Sequence, residues 1–169
     1  SGHRFRPVNG RPDIAETKSC GECGMCCKLI GVEAINKPQF VWCKSYRKGT
    51  GCTIYEDRPS DCRAFICYWL HVPNLGDEWR PDRCGFVMHI ADAGARLNIE
   101  VDPGKPQVWR QEPFISTFRA WAAQGQARGL SLWVWIGRRA LELTPSGEID
   151  RGMLRPPAHT PQRSNKRLR

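Results

Sequence analysis

The spacing of apolar positions is clearest in the second half of the chain. Residues 97–101, LNIEV, alternate apolar and polar as a half-buried strand does, and Asp102-Pro103-Gly104 ends the run. After Pro113, the residues Phe114, Ile115, Phe118, Trp121 and Ala122 recur at helical spacing, which predicts an amphipathic helix stopping near Gly125. LSLWVWIG (130–137) and RRALELTP (138–145) read as two strands meeting near Gly137. Trp133 and Trp135 then share one face of their strand, where core packing is their expected role. In the first half, Asp57-Arg58-Pro59-Ser60 signals a turn. Pro59, Ser60 and Asp61 suit the first turn of a helix running through about Leu70, with Phe65, Ile66, Trp69 and Leu70 facing a core. The predicted class is α+β: a small sheet of strand, helix and β-hairpin, covered by its helix, with the first half of the chain packed beside it.

At 169 residues and 40% hydrophobic content, the chain suits one folded domain. Within it we distinguish residues 13–90, 91–146 and a tail over 147–169. No stretch approaches the roughly 18 apolar residues of a membrane-spanning helix, the longest being Leu130 to Ile136. The chain opens on Ser1-Gly2-His3 without Met, and nothing visible resembles a signal peptide. A soluble, cytoplasmic protein is expected. The net charge of +9 changes meaning once it is mapped. Residues 1–12 carry three Arg and no acid, and residues 151–169 carry five Arg, one Lys and no acid. Residues 13–150 therefore balance 17 basic against 17 acidic groups. The Pro- and Arg-rich tail has the composition of a solvated arm. Contact with nucleic acid through it is a minor reading, because no groove-reading module accompanies it.

The nine cysteines are Cys20, Cys23, Cys26, Cys27, Cys43, Cys52, Cys62, Cys67 and Cys84, and residues 85–169 contain none. A disulfide scaffold normally staples a small secreted fold that lacks a core, whereas this chain has seven Trp, six Phe and an odd number of cysteines. Residues 20–27, CGECGMCC, point instead to a metal. Two-residue gaps let a turn aim two sulfurs at one ion, about 2.3 Å away for zinc. If the segment is helical, its four thiols fall within an arc of about 120° at about 100° per residue. If it is extended, Cys26 and Cys27 point to opposite sides and serve different ions. In either case four thiolates so close need a cation between them. One tetrahedral ion takes four ligands, so the other five cysteines imply a second site or bridging sulfurs. Cys43, Cys67 and Cys84 also have a plainer reading as small buried hydrophobes.

The second cluster reads GCTIYEDRPSDCRAF (51–65). Together with CGECGMCC and Cys43 it resembles the bacterial CxxCxxCC cysteine-cluster proteins, the YkgJ-like family described as zinc- or iron-chelating. The resemblance covers roughly residues 20–67. It implies a metal-chelating cluster and carries Cys20, Cys23, Cys26, Cys27, Cys43, Cys52 and Cys62 over as ligands, while Cys67 and Cys84 rest on spacing alone. Local physics adds that Cys62 would sit near a helix N-terminus, where the dipole favours a thiolate. Arg58 and Arg63 are placed to neutralise the sulfur-rich site or to donate hydrogen bonds to it.

His71 and His89 are the histidines inside the body that could replace a Cys as ligand. No nucleotide loop, HExxH or triad-like order is present, and Asp92, Glu100 and Asp102 are too scattered to pair as acid and base. Three function classes follow. The first is structural or metal-handling zinc held by thiolates. The second is an iron–sulfur protein carrying electrons, or part of an oxidoreductase. The third is an enzyme whose iron or zinc keeps an open position. Soft thiolates suit zinc and iron–sulfur alike; zinc is the favoured expectation.

Overall fold

A computed structural model describes residues 18–154, so the basic segment at the start and most of the basic tail lie outside the described residues. In chain order the elements are α1 (Met25–Leu29), the two-residue strands β1 (Tyr46–Arg47) and β2 (Gly51–Cys52), α2 (Ser60–Ala64), α3 (Tyr68–His71) and α4 (Pro81–Cys84). They are followed by β3 (Phe86–Ala91), β4 (Arg96–Val101), α5 (Phe114–Gln126), β5 (Ser131–Ile136), β6 (Arg139–Thr144) and β7 (Gly147–Met153). The class is α+β. Among the described residues no helix is long and apolar enough to cross a membrane.

The predicted strand, helix and hairpin are β4, α5, β5 and β6, but the sheet extends one strand further on each side, in the order β3-β4-β5-β6-β7. β4 and β5 are parallel, the other neighbours antiparallel. A parallel pair needs a crossover, and α5 supplies it. Residues 147–153, read from sequence as the start of a tail, form β7 instead. Its charges made it look like a tail, yet they pair across the edge: Arg139 with Asp150, and Arg151 with Glu142.

Alternation along the strands separates two faces. Phe86, Met88, Leu97, Ile99, Val101, Leu132, Val134, Leu141 and Leu143 belong to the main core, which α5 closes with Phe114, Ile115, Phe118, Trp121 and Ala122. Trp79 sits at its centre, with ring centroids 4.8 Å from Phe114, 5.6 Å from Phe118 and 5.5 Å from Trp121. The opposite face carries Val87, His89, Asn98, Glu100, Trp133 and Trp135. Asn98 is fully buried and Glu100 nearly so. The alternation in LNIEV therefore marks two buried faces rather than one wet face. His89 Nε2 lies 2.7 Å from Glu100, and Trp135 Nε1 donates to Asn98 Oδ1 at 3.0 Å. Trp133 and Trp135 stack on this face, Trp135 buried and Trp133 half-buried beneath Arg96.

The single helix predicted from Pro59 through about Leu70 is two helices. α2 stops at Ala64, Phe65 turns extended, and the chain runs through Cys67, which bridges to His89 on the outer side of β3, before α3 begins. Pairing with the sheet edge overrides helical propensity here. Trp69 and Leu70 are core residues as expected, while Phe65 and Ile66 are only half-buried. On the second face of β3, Val87 joins Met25, Leu29 and Ile30 in a small separate cluster, and this seats the cysteine region against the sheet.

Candidate metal centre

The thiols of CGECGMCC lie on neither a single helix nor a strand. Cys20 to Cys23 is a turn closed by Cys23 N–H donating to Cys20 O at 2.9 Å, and Gly24 in a left-handed conformation starts α1. Met25 and Leu29, four residues apart, bury themselves in the small cluster beside Val87 and fix the rotation of α1. Cys26 and Cys27 consequently leave the helix in different directions. Lys28, on the same helix, pairs with Asp102 at 2.8 Å and ties α1 to the end of β4.

Cys43 N–H donates to Cys27 O at 2.9 Å, and Tyr46 N–H donates to Cys43 O at 3.0 Å. β1 then pairs with β2 so that Tyr46 faces Cys52. Two glycines permit the approach of this hairpin to the first loop. A Cβ on Gly24 would stand 2.2 Å from the Tyr46 ring, and one on Gly51 (φ +91°) would stand 2.1 Å from Gly21 O. α2 delivers Cys62, and the extended segment after it delivers Cys67.

As a result, Cys20, Cys23, Cys26, Cys27, Cys43, Cys52, Cys62 and Cys67 all line one cavity of about 100 Å³, together with Ile30, Ile54, Phe65 and Val87. All nine cysteines are free thiols. Cys84 stands apart from that lining. It is buried in the main core with its sulfur 3.3 Å from Phe86 O and 3.5 Å from Trp79 O, and burial pushes its thiol up. Neither His71 nor His89 lines the cavity. Among the described residues no group of three or more His, Cys, Asp and Glu side chains is already set to hold a metal ion.

The electrostatics of the site divide its sulfurs. A hydrogen bond from Cys26 holds the Cys27 thiol down at about 7 against burial, helped by Lys37, Cys52 and Arg58. The same hydrogen bond and burial hold Cys26 well above the usual thiol range. Burial pushes Cys67 up to about 12 and raises Cys23 and Cys52. Cys62, in the first turn of α2, is also raised, first by burial and then by the thiols of Cys27 and Cys43. α2 has five residues, too few for its dipole to outweigh desolvation.

Four cations surround these sulfurs. Lys37 is 8% exposed and donates to Lys28 O at 3.2 Å, Pro38 O at 3.1 Å and also Ile30 O, close to Cys27, Cys43, Cys26 and Cys62. Arg58 donates to Tyr55 O at 2.7 Å and lies 3.8 Å over the Tyr55 ring. Lys18 donates to Trp69 O at 2.9 Å and to Val72 O near Cys67, and Arg80 hydrogen-bonds the Cys23 sulfur. Tyr55 is hydrogen-bonded to Cys20. Arg63 is exposed and does not line the cavity. Of this surround, sequence reasoning found Arg58 and missed Lys18, Lys37, Arg80 and Tyr55. Tyr55 was within reach, since it belongs to the quoted motif, but nothing local marks Lys37 as buried. Comparison of the chain with family models, curated proteins and solved structures finds no match.

Proposed function

We propose that the protein chelates a soft metal ion through its cysteine cluster, with zinc as the ion and a structural or metal-handling role. The observation that carries this reading is the gathering of eight cysteines, from segments up to 47 residues apart in sequence, around one cavity that Lys37 and Arg58 also line, with Lys18 beside Cys67 and Arg80 beside Cys23. Four thiolates around a divalent ion carry a charge of −2, and buried negative charge of that size needs compensating cations. Zinc so held supplies no redox chemistry; it crosslinks the chain and contributes folding free energy.

Iron–sulfur clusters are the second reading, supported by the cavity itself. About 100 Å³ is several times the roughly 30 Å³ that one water molecule occupies in the liquid, which leaves room for a polynuclear group. Thiolates with nearby hydrogen-bond donors suit such clusters equally. In this reading the protein transfers electrons or serves an oxidoreductase.

Elemental analysis and a visible spectrum of anaerobically prepared protein test both. Zinc without colour supports the first reading, iron with acid-labile sulfide and broad absorption the second. A metal-free chain that stays folded and binds neither added zinc nor iron would reject both.

A further inference from the structure

We infer that the eight cavity cysteines form two neighbouring four-thiolate sites, Cys20, Cys23, Cys26 and Cys67 in one and Cys27, Cys43, Cys52 and Cys62 in the other, with Cys84 in neither. The inference rests on the chelating reading above and adds to it a ligand assignment and a difference in role.

Packing makes the division. Cys20 and Cys67 pack against the main core, and Cys23 and Cys26 against the small cluster of Met25, Leu29, Ile30 and Val87. None of Cys27, Cys43, Cys52 and Cys62 is among the residues packed on either. Backbone connections repeat it. The second four are joined through the hairpin, by Cys43 N–H on Cys27 O at 2.9 Å and by Tyr46, which bonds Cys43 and faces Cys52. The first four are joined by the Cys20–Cys23 turn and by Cys67, fixed to β3 at His89. Consecutive residues on a helix project about 100° apart, so Cys26 and Cys27 fall to opposite sets.

The surrounding charge follows the same line. Burial comes first for each, but among the thiols Cys67 feels those of Cys20 and Cys23, and Cys52 and Cys62 feel those of Cys27 and Cys43; Cys26, at the boundary, feels Cys27 and then Cys67 and Cys20. Lys18 and Arg80 stand by the first four and Arg58 by the second, while Lys37 stands beside Cys27 and Cys43 and also beside Cys26 at the boundary. Each set thus supplies four thiols, the number that a tetrahedral site takes. The sulfurs of Cys26 and Cys27 are hydrogen-bonded to one another, so the two sites adjoin there. The first site is packed against the two hydrophobic clusters, while the second lies outside them and is the more readily emptied of its ion.

Anaerobic titration of the apo full-length chain with cobalt(II), read through the visible bands of tetrahedral cobalt thiolate, tests the assignment. Wild type and Cys84→Ala should bind two equivalents. Cys62→Ser and the same-set double variant Cys43→Ser/Cys62→Ser should both bind one with an unchanged four-sulfur spectrum, while Cys62→Ser/Cys67→Ser should lose tight binding at both sites. Loss of both equivalents in Cys62→Ser alone, or a single equivalent in wild type, would overturn the two-site assignment and leave chelation standing as one bridged cluster. Wild type that binds no cobalt, zinc or iron would overturn the chelating reading itself. Should Cys67→Ser fail to fold, the comparison of Cys62→Ser with Cys43→Ser/Cys62→Ser still decides, because the second site lies outside the core.

Discussion

Replacing Gly51 with Ala tests whether the docking of the hairpin on the first cysteine loop controls metal affinity. Gly51 has φ +91°, and the added Cβ would stand 2.1 Å from Gly21 O, about 1.3 Å inside the 3.4 Å at which ordinary contacts begin. Because the obstacle is backbone, β2 must retreat and take Cys52 with it. The left-handed conformation costs Ala about 1–2 kcal/mol, and overpacking adds ~1–3 kcal/mol. Gly49→Ala is the control. It lies in the same hairpin at φ +78° with nothing within 4 Å of its added Cβ, so it incurs only the conformational cost. A total near 3 kcal/mol for Gly51→Ala corresponds to a loss of roughly 100-fold in affinity, against about tenfold or less for Gly49→Ala. Competition with a chromophoric chelator reads the affinities. Hydrogen exchange at the Cys43 amide, which donates to Cys27 O at 2.9 Å, reads the docking. Equal affinities for the two variants would refute the argument, as would a Gly51→Ala protein that keeps wild-type affinity.

Three further outcomes are expected. Leu29→Ala, fully buried in the small cluster, should destabilise the apo-protein by ~2–5 kcal/mol in urea denaturation. Lys37→Met removes the donor to three backbone carbonyls and a cation beside Cys27; it should cost ~1–3 kcal/mol of stability and weaken metal binding, both measurable in the same chelator competition and denaturation series. The thiols raised above their ordinary value keep their protons at neutral pH, so metal binding must expel them and affinity should fall as pH is lowered, with proton release visible by calorimetry in buffers of different ionisation enthalpy. For the apo-protein the sign is reversed. Cys67, ordinarily near 9.0 and pushed up to about 12 in the fold, contributes stability that is complete below about pH 9 and disappears as pH rises toward 12, so apo-protein should denature more easily at pH 10 than at pH 8.

Much of the sheet region was readable because each element obeys its own periodicity. Phe114 to Ala122 mark α5, and the break at Gly137 marks the turn between β5 and β6. β3 and β7 were missed for opposite reasons. Phe86–Ala91 follows directly on the last cysteine and is buried along most of its length, so it shows no alternation, whereas Gly147–Met153 is exposed throughout and bears charges whose partners are on the next strand. In the cysteine region the clustering of thiols and the CxxCxxCC spacing were legible, but the geometry was not. The end of α2 depends on a bridge between Cys67 and His89, and the burial of Lys37 on carbonyls of a neighbouring loop, neither of which leaves a local trace. Cys84 looked like its fellows by spacing and differs only in where its sulfur points.

The weakness of the local elements in residues 18–67 explains why so many thiols are needed there. α1 and α2 have five residues each, well short of the roughly 12–15 at which an isolated helix becomes even marginal in water. β1 and β2 have two residues each, and a lone hairpin is unstable without further packing. The apolar support is one small cluster, Met25, Leu29, Ile30 and Val87, of which Val87 is borrowed from the sheet. Elements this short cannot bury enough surface to offset their ordering entropy of about 1–2 kcal/mol per residue. The sulfurs occupy positions that a hydrophobic core would otherwise fill, and in the proposed chelating reading ions bridging them supply the missing crosslinks. Removal of metal should therefore loosen residues 18–67 while leaving β3 to β7 and α5 protected. A loss of exchange protection that spread equally over the sheet would show that the two halves fold as one cooperative unit.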